Sequence, residues 1–288
     1  MLILVLSILT SCSLTLIFKL FERYEVQNFQ AIVVNYITAA VICFAISGET
    51  FDPVGVYHAK WFPYAIGIGL LFISLFNLVA FSAQNVGIAI TSVATKISLC
   101  FPVLFSYYFF NDSLNAYKVA GIILALISIY FTAKKEGPQK LKSSLLFLIP
   151  LILFFSSGCL DVIFVYSMKT FDLVANEIDL IFSATLYSVA ALIGIPLLMI
   201  KLMMGQKMKI ETFIGGVGLG FMNVLSIVFF LKCLHLFPES SFVFPIHNMS
   251  IVGLSAIIAA IIFKEKLSLL NIIGIGIALI SILMISTS

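Results

Sequence analysis

A lysine, an aspartate and a histidine lie deep inside long apolar segments of this chain. Lys96 stands nine residues into the apolar segment 87–110, and Asp161 and His247 stand in two other such segments. A helix rises 1.5 Å per residue, so Lys96 lies about 14 Å from the start of its segment, close to the middle of a bilayer. A lysine at that depth costs roughly 3 kcal/mol, so we expect it to face a partner or a water-filled cavity.

The segments that carry these residues belong to an internal repeat. Residues 114–129 (LNAYKVAGIILALISI) recur with variation at 267–282 (LSLLNIIGIGIALISI), and eight of the sixteen positions are identical, among them Gly121 and Gly274. A membrane protein that contains two copies of one unit is typical of a carrier with a site between its halves. Further matches pair Ser11, Leu14, Ile17 and Phe18 with Ser157, Leu160, Ile163 and Phe164, and Gly67-x-Gly69 with Gly218-x-Gly220.

The composition indicates an integral membrane protein. Hydrophobic residues make up 62% of the chain and charged residues 10%, whereas soluble domains are about 25% charged. The net charge of +3 is small and scattered, so we expect no nucleic-acid partner. The five cysteines lie in apolar runs without C-x-x-C spacing, which favours buried packing over metal ligation or disulfides. We therefore expect no metal and no cofactor.

Ten apolar segments are long enough to span a bilayer as helices, so we predict an all-α integral membrane fold. The first five form one repeat unit (1–133), a Lys-rich linker follows (134–143), and the last five form the second unit (144–288). Because five is odd, the two units must enter the membrane from opposite sides, as inverted repeats. The predicted helices are 2–21, 29–47, 61–84, 87–110, 116–133, 144–168, 178–200, 211–235, 239–263 and 268–286.

The basic residues predict the orientation of the chain. Eleven of the 16 Lys and Arg residues lie at the linker side of the predicted helices, and four lie at the opposite side. The positive-inside rule then places the linker in the cytoplasm and both termini outside. We expect a multi-pass protein of the cell membrane, the inner membrane of a bacterium.

A motif at the end of each half resembles a known family. The first half contains Asn111-Asp112-Ser113-Leu114, and Lys264-Glu265-Lys266-Leu267 occupies the corresponding place in the second half. Gly121 and Gly274 lie near the start of the last helix of each half. With five-plus-five helices, the chain resembles the drug/metabolite transporter superfamily, in particular its ten-helix, EamA-type branch. The resemblance implies an exporter or exchanger of small metabolites, with a central cavity lined by helices other than the last of each half. Members are often drawn with both termini inside, the reverse of the orientation predicted from charge.

The repeat places His247 and Asn248 at the depth of Lys96 on the equivalent helix, which predicts a substrate or proton site. The alternative interpretation is a structural hydrogen-bond network between helices. Asp161 is expected either to pair with Lys96 or Lys19 or to carry a coupling proton.

Amides and prolines inside the predicted helices are weaker candidates. Asn35, Asn77 and Asn223 can hydrogen-bond a substrate or a neighbouring helix. Tyr36 and Ser226 are candidates to line the same space. The prolines are expected to interrupt the fourth, seventh and ninth predicted helices, and local unwinding in the fourth and ninth would expose backbone carbonyls to a substrate. They are Pro102, Pro196 and Pro245.

These features favour a secondary-active transporter that works by alternating access. Lys96 favours an anionic or zwitterionic small-molecule substrate, and Asp161 and His247 are candidates for proton coupling. The alternatives are a non-transporting sensor or scaffold, in which the deep charges are paired and no cavity reaches the midplane, and an intramembrane enzyme. We expect the protein to act in the lipid bilayer as a monomer or homodimer.

Overall fold

The computed structural model describes residues 2–47, 52–110, 115–133, 146, 148–173, 179–236 and 240–286. Within these ranges the chain forms twelve α-helices and no strand. The helices are α1 (Leu2–Arg23), α2 (Asn28–Ser47), α3 (Pro53–His58), α4 (Phe62–Asn85), α5 (Ile88–Ile97), α6 (Cys100–Phe110), α7 (Ala116–Ala133), α8 (Leu148–Thr170), α9 (Asp179–Met203), α10 (Ile210–Leu236), α11 (Ser240–Ile261) and α12 (Leu269–Ser286).

Seven spans in the described part of the chain are long and apolar enough to cross a membrane. One of them, Ile88–Phe110, comprises α5 and α6 together. Three shorter apolar helices, of 10–17 residues, are Ala116–Thr132, His247–Ile261 and Leu269–Ile285. The described chain is therefore all-helical with seven candidate membrane-spanning helices, which is consistent with a membrane-embedded protein.

The predicted helices correspond closely to the observed ones, with two differences. The predicted helix 87–110 is divided into α5 and α6, and the short helix α3 was not predicted. The motif Asn111-Asp112-Ser113-Leu114 and the linker 134–143 lie outside the described residues.

The break between α5 and α6 follows from Pro102. Proline has no N–H to donate to the carbonyl four residues earlier, and its ring clashes with that carbonyl, here Ser98 O. Ser98 O instead accepts the N–H of Phe101 at 2.9 Å, in a tighter turn. The predicted interruption of this helix is confirmed, and it lies next to Lys96.

The other two prolines do not break their helices, so that expectation was wrong. Helix α9 runs without a break through Pro196, and the backbone of α11 is helical from residue 240 to 261. Prolines are tolerated within membrane helices where neighbouring groups or small local adjustments satisfy the freed carbonyl.

Small residues let the last helix of each repeat approach the other closely. A Cβ on Gly121 of α7 would lie 3.1 Å from the backbone nitrogen of Ile285 in α12, and a Cβ on Gly274 of α12 would lie 2.7 Å from that of Thr132 in α7. The Ser281 hydroxyl donates to Gly121 O at 2.8 Å. Helices α7 and α12 therefore pack directly against each other.

A second glycine pair makes equivalent contacts in the two halves. A Cβ on Gly69 of α4 would lie 2.9 Å from Leu186 O and 2.8 Å from Val189 of α9. A Cβ on Gly220 of α10 would lie 2.7 Å from both Asn35 O and the Thr38 side chain of α2. An offset of 151 residues relates Gly69 to Gly220, and the same offset relates Asn35 and Thr38 to Leu186 and Val189. The close approach of α4 to α9 thus resembles that of α10 to α2.

Candidate functional site

A central cavity of about 290 Å³ lies among the helices of both halves. Ser11 lies near the middle of α1 and Asn223 near the middle of α10, so the cavity reaches the centre of the bundle. It is lined by Ser11, Leu14, Phe72, Phe76, Thr95, Lys96, Leu99, Pro102, Leu160, Asp161, Phe164, Val165, Tyr187, Asn223, Ser226, Ile227, Phe230, His247 and Asn248.

Lys96 and Asp161 bring opposite charges to this cavity. In the part of the chain that the structure describes, Lys96 Nζ makes neither a hydrogen bond nor an ion pair. Asp161 Oδ2 accepts a 2.7 Å hydrogen bond from the hydroxyl of Ser98, at the break between α5 and α6. Neither charge is therefore neutralised by a direct partner, and both face the same space.

The predicted partnership of Asp161 with Lys19 was wrong. Lys19 Nζ donates to Gln84 O at 3.0 Å and lies 2.8 Å from the carboxylate of Glu22. It lies near the end of α1, about one and a half helical turns beyond Leu14 on the cavity wall.

His247 is held by serines from α1. Its Nε2 lies 3.0 Å from Ser7 Oγ and 3.3 Å from Ser11 Oγ. The Ser11 hydroxyl lies in turn 2.7 Å from that of Ser226 on α10. A continuous set of polar groups thus joins α1, α10 and α11 at the cavity wall, where Asn248 also lies.

The three predicted amides have different surroundings. Asn223 lines the cavity, whereas Asn35 is fully buried behind it and accepts a 3.1 Å hydrogen bond from Asn223 Nδ2. Asn77 Nδ2 donates to Ile73 O of its own helix at 2.7 Å and is not among the cavity-lining residues. Of the two further candidates, Ser226 lines the cavity and Tyr36 does not.

The aromatic walls were missed by sequence reasoning. Phe72, Phe76, Phe164 and Phe230 line the cavity, and Tyr187 joins them. Phenylalanines are spread over almost every helix, so their spacing carried no signal. The repeat did pair Phe164 with Phe18, and that match could have drawn attention to both.

One end of the bundle is closed by a polar cluster that we call the seal (Phe18, Lys19, Asn28 and Gln84). Gln84 and Asn28 form a reciprocal amide pair at 2.9 and 3.0 Å, and Gln84 Nε2 also donates to Phe18 O at 2.8 Å. These bonds join the ends of α1 and α4 to the start of α2.

Glu265 closes the same end from the loop between α11 and α12. Both carboxylate oxygens lie 3.1 Å from the backbone nitrogen of Ile88, at the first residue of α5. Burial raises the pKa of Glu265, while the N–H of Ile88 and the Lys19 ammonium lower it. The acid of the family-like motif thus contacts the start of the helix that carries Lys96.

The cavity lies toward the opposite face. Helices α6 and α8 end together there, with Lys169 Nζ 4.8 Å from the centre of the Phe110 ring. The α8 residues that line the cavity, from Leu160 to Val165, lie in the half of the helix nearest that face. Phe18 is 1% exposed in the seal, whereas its repeat equivalent Phe164 lines the cavity. The two positions are equivalent in the repeat, but Phe18 is buried at the sealed end and Phe164 faces the cavity.

Comparison with known proteins gives the fold but no activity. No family model matches the chain. The chain is 27% identical over 278 residues to an uncharacterized protein of Haemophilus influenzae, covering 94% of this chain and 93% of that protein. A protein of known crystal structure matches with a TM-score of 0.58 at 16% identity, over 98% of this chain and 94% of the other. Within the described residues no group of three or more His, Cys, Asp or Glu side chains could hold a metal ion.

Proposed function

We propose that this protein is a secondary-active transporter of a small anionic or zwitterionic metabolite. It works by alternating access, with ten spanning helices arranged as two inverted five-helix repeats. In this proposal it belongs with the EamA-type transporters that its sequence resembles and acts in the cell membrane. Asp161 and His247 are the candidates for coupling transport to protons.

The observation that carries this proposal is the pair of opposite charges that face the central cavity without a direct ion pair among the described residues. An ammonium and a carboxylate inside an apolar bundle cost several kcal/mol each unless they are paired or hydrated. Lys96 and Asp161 face the cavity without a mutual ion pair among the described residues. A substrate with complementary charged groups would offset this free-energy cost when it binds to the two side chains.

The equivalent packing of the halves supports alternating access. The contacts of Gly69 and Gly220 are related by the repeat, as are those of Gly121 and Gly274. Inverted repeats allow a protein to exchange two related conformations, each open to a different side of the membrane. The closed position of Phe18 and the cavity position of Phe164 are what one of these conformations requires.

The alternatives fit these observations less well. A sensor or scaffold predicts paired deep charges and no cavity among them, whereas the described helices enclose a cavity lined by Lys96 and His247. An intramembrane enzyme would require a compact set of acids, bases or metal ligands. The described residues include no group of three or more His, Cys, Asp or Glu side chains that could hold a metal ion, and Asp161 contacts Ser98 rather than orienting the histidine.

Flux into proteoliposomes tests the proposal. Purified protein is reconstituted and screened with amino acids, nucleosides and organic anions, first by thermostability shift and then by uptake or counterflow. We expect Lys96→Ala to lower flux by roughly 10- to 100-fold, the value of a charged hydrogen bond. Lys207→Ala, in an exposed loop, is the matched control and should retain wild-type flux. Equal flux in Lys96→Ala and wild type would remove Lys96 from the site.

A further inference from the structure

Asn35 of the first half and Tyr187 and Asn223 of the second half form a hydrogen-bonded chain at the cavity wall. The Tyr187 hydroxyl donates to Asn223 Oδ1 at 3.2 Å, and Asn223 Nδ2 donates to Asn35 Oδ1 at 3.1 Å. Asn223 and Tyr187 line the cavity, whereas Asn35 is 0% exposed and lies behind them. Bonds on both sides fix the plane of the Asn223 carboxamide.

The three positions that the repeat relates to these residues hold no such chain. The offset of 151 that relates the glycine contacts pairs Tyr187 with Tyr36, Asn223 with Phe72, and Asn35 with Leu186. Among the described residues the buried hydroxyl of Tyr36 has no hydrogen-bond partner. The ring of Phe72 instead stacks on both tyrosines, with centroids 6.4 and 6.0 Å away. The cavity therefore has an amide on one wall and an aromatic ring at the equivalent place on the other.

The hydrogen-bond capacity of Asn223 is only half used. A carboxamide offers two N–H donors and two oxygen lone pairs. Asn35 and Tyr187 take one of each, and in the described part of the chain the second N–H and lone pair have no protein partner. A buried polar group without a partner costs about 1–3 kcal/mol. Since Asn223 lines the cavity, a bound molecule can meet both remaining groups.

We propose that Asn223 determines substrate specificity by selecting molecules that carry an uncharged hydrogen-bonding group in addition to the ionised one. A hydroxyl, amide or carbonyl of the substrate would form a hydrogen bond with the Asn223 carboxamide. Asn35 and Tyr187 act as positioning residues that hold the carboxamide toward the cavity. This inference rests on the proposed transport function, and it adds the kind of substrate that the site selects. The cavity of about 290 Å³ limits that substrate to a compact molecule.

Pairs of compounds that differ by one hydroxyl test the inference. The probes are L-malate with succinate, L-lactate with propionate, and L-threonine with L-2-aminobutyrate. Binding is measured as the concentration that gives half of the maximal thermostability shift in detergent, and flux is measured by counterflow in liposomes. For wild type we expect the hydroxylated member of at least one pair to bind roughly 10- to 100-fold more tightly, as a hydrogen bond at a dry site requires.

Two tyrosines that differ only in their hydrogen bonding provide a matched pair of variants. Tyr187→Phe removes the donor to Asn223, whereas Tyr36→Phe removes a hydroxyl without a described partner. We expect Tyr187→Phe to reduce the preference for the hydroxylated compound to a few-fold, and Tyr36→Phe to leave it unchanged. Asn35→Leu, which copies its equivalent Leu186, should reduce the preference in the same way. Asn77→Leu is its control, because Asn77 bonds only its own helix among the described residues.

The outcomes separate this inference from the proposed function. Compounds that bind and depend on Lys96, but with equal affinity within each pair, would overturn the inference and leave the transport function standing. A wild-type preference that survives in both Tyr187→Phe and Asn35→Leu would also overturn it. If none of the six compounds binds wild type in a Lys96-dependent way, both the proposed substrate class and the inference fail.

Discussion

The Ser98 hydroxyl donates a 2.7 Å hydrogen bond to Asp161 Oδ2, and it does so from the two-residue break between α5 and α6. A continuous helix over 88–110 would orient α6 differently relative to Ser98, because the break shifts every later residue around the helix axis. Pro102 causes the break through its missing N–H. The packing of α6 against α8, beside this hydrogen bond, therefore depends on a proline one helical turn away from Ser98.

Replacing this proline should straighten the helix and slow transport. Pro102→Ala restores the N–H that can bond Ser98 O, and a proline inside a helix costs about 3 kcal/mol, so thermal stability should not fall. We expect flux to decrease more than tenfold because α6, which carries the cavity-lining Pro102, would be displaced beside the Ser98–Asp161 bond. Pro196→Ala in the unbroken helix α9 is the control. Wild-type flux in Pro102→Ala would show that the break is not needed.

Neutralising the deep carboxylate should uncouple transport from protons. Asp161→Asn keeps the size of the side chain and its bond with Ser98 but cannot exchange a proton at neutral pH. We expect the variant to lose uptake driven by an imposed pH gradient while substrate counterflow continues. Asp172→Asn, at an exposed turn with φ +47°, is the control because asparagine accepts that conformation. Gradient-driven uptake that persists in Asp161→Asn would assign the coupling proton elsewhere.

Removing the Gln84 side chain should weaken the seal. Gln84→Ala deletes three hydrogen bonds to Asn28 and Phe18, each worth about 0.5–1.5 kcal/mol. The readout is labelling of Leu14→Cys by a membrane-impermeant thiol reagent, in a background from which the native cysteines are removed. We expect labelling from the sealed face to rise roughly tenfold.

The neighbouring residue provides the control for this experiment. Asn85 is exposed, and its side chain bonds Phe81 O of its own helix at 2.8 Å. Asn85→Ala should leave the labelling of both faces unchanged. Equal labelling in Gln84→Ala and Asn85→Ala would mean that the cluster does not close this end.

A methyl group between α7 and α12 should destabilise the protein. A Cβ at Gly274 would lie 2.7 Å from the backbone nitrogen of Thr132, so the helices would have to separate. Overpacking of this kind typically costs 1–3 kcal/mol. We expect Gly274→Ala to lower the midpoint of thermal unfolding in detergent. Gly276→Ala, where nothing lies within 4 Å, should not lower it; a similar decrease in both variants would contradict the packing.

The sequence predicted where helices lie along the chain but not which way they face. Long uniform apolar runs define segment ends within a few residues, and the rise per residue gave the depth of Lys96. A helix that is apolar on all sides has no distinct polar face, so its sequence does not show which side faces the cavity. Asn35 and Asn223 therefore looked equivalent, although one lies behind the cavity and the other on its wall.

The contacts of side chains near helix ends also could not be predicted from the sequence. Lys19 shares a helix face with Thr15, the repeat equivalent of Asp161, and that relation suggested a pair. Its long side chain instead reaches Gln84 O, because α4 ends beside it. The repeat did identify Lys96, His247 and Asn248 as neighbours, since equivalent depths on two packed helices bring side chains together.

The opposite charges of Lys96 and Asp161 also determine how the protein responds to voltage. With both ionised, the walls of the empty cavity have a formal charge of zero, so an electric field across the bilayer exerts little net force on them. A bound zwitterion leaves that sum unchanged, whereas a bound monoanion adds one charge, worth about 2.3 kcal/mol per 100 mV when it crosses the whole field. Without a coupled proton, transport of a zwitterion would be electrically silent and transport of an anion would generate a current; each proton coupled through Asp161 would add one further charge to every cycle.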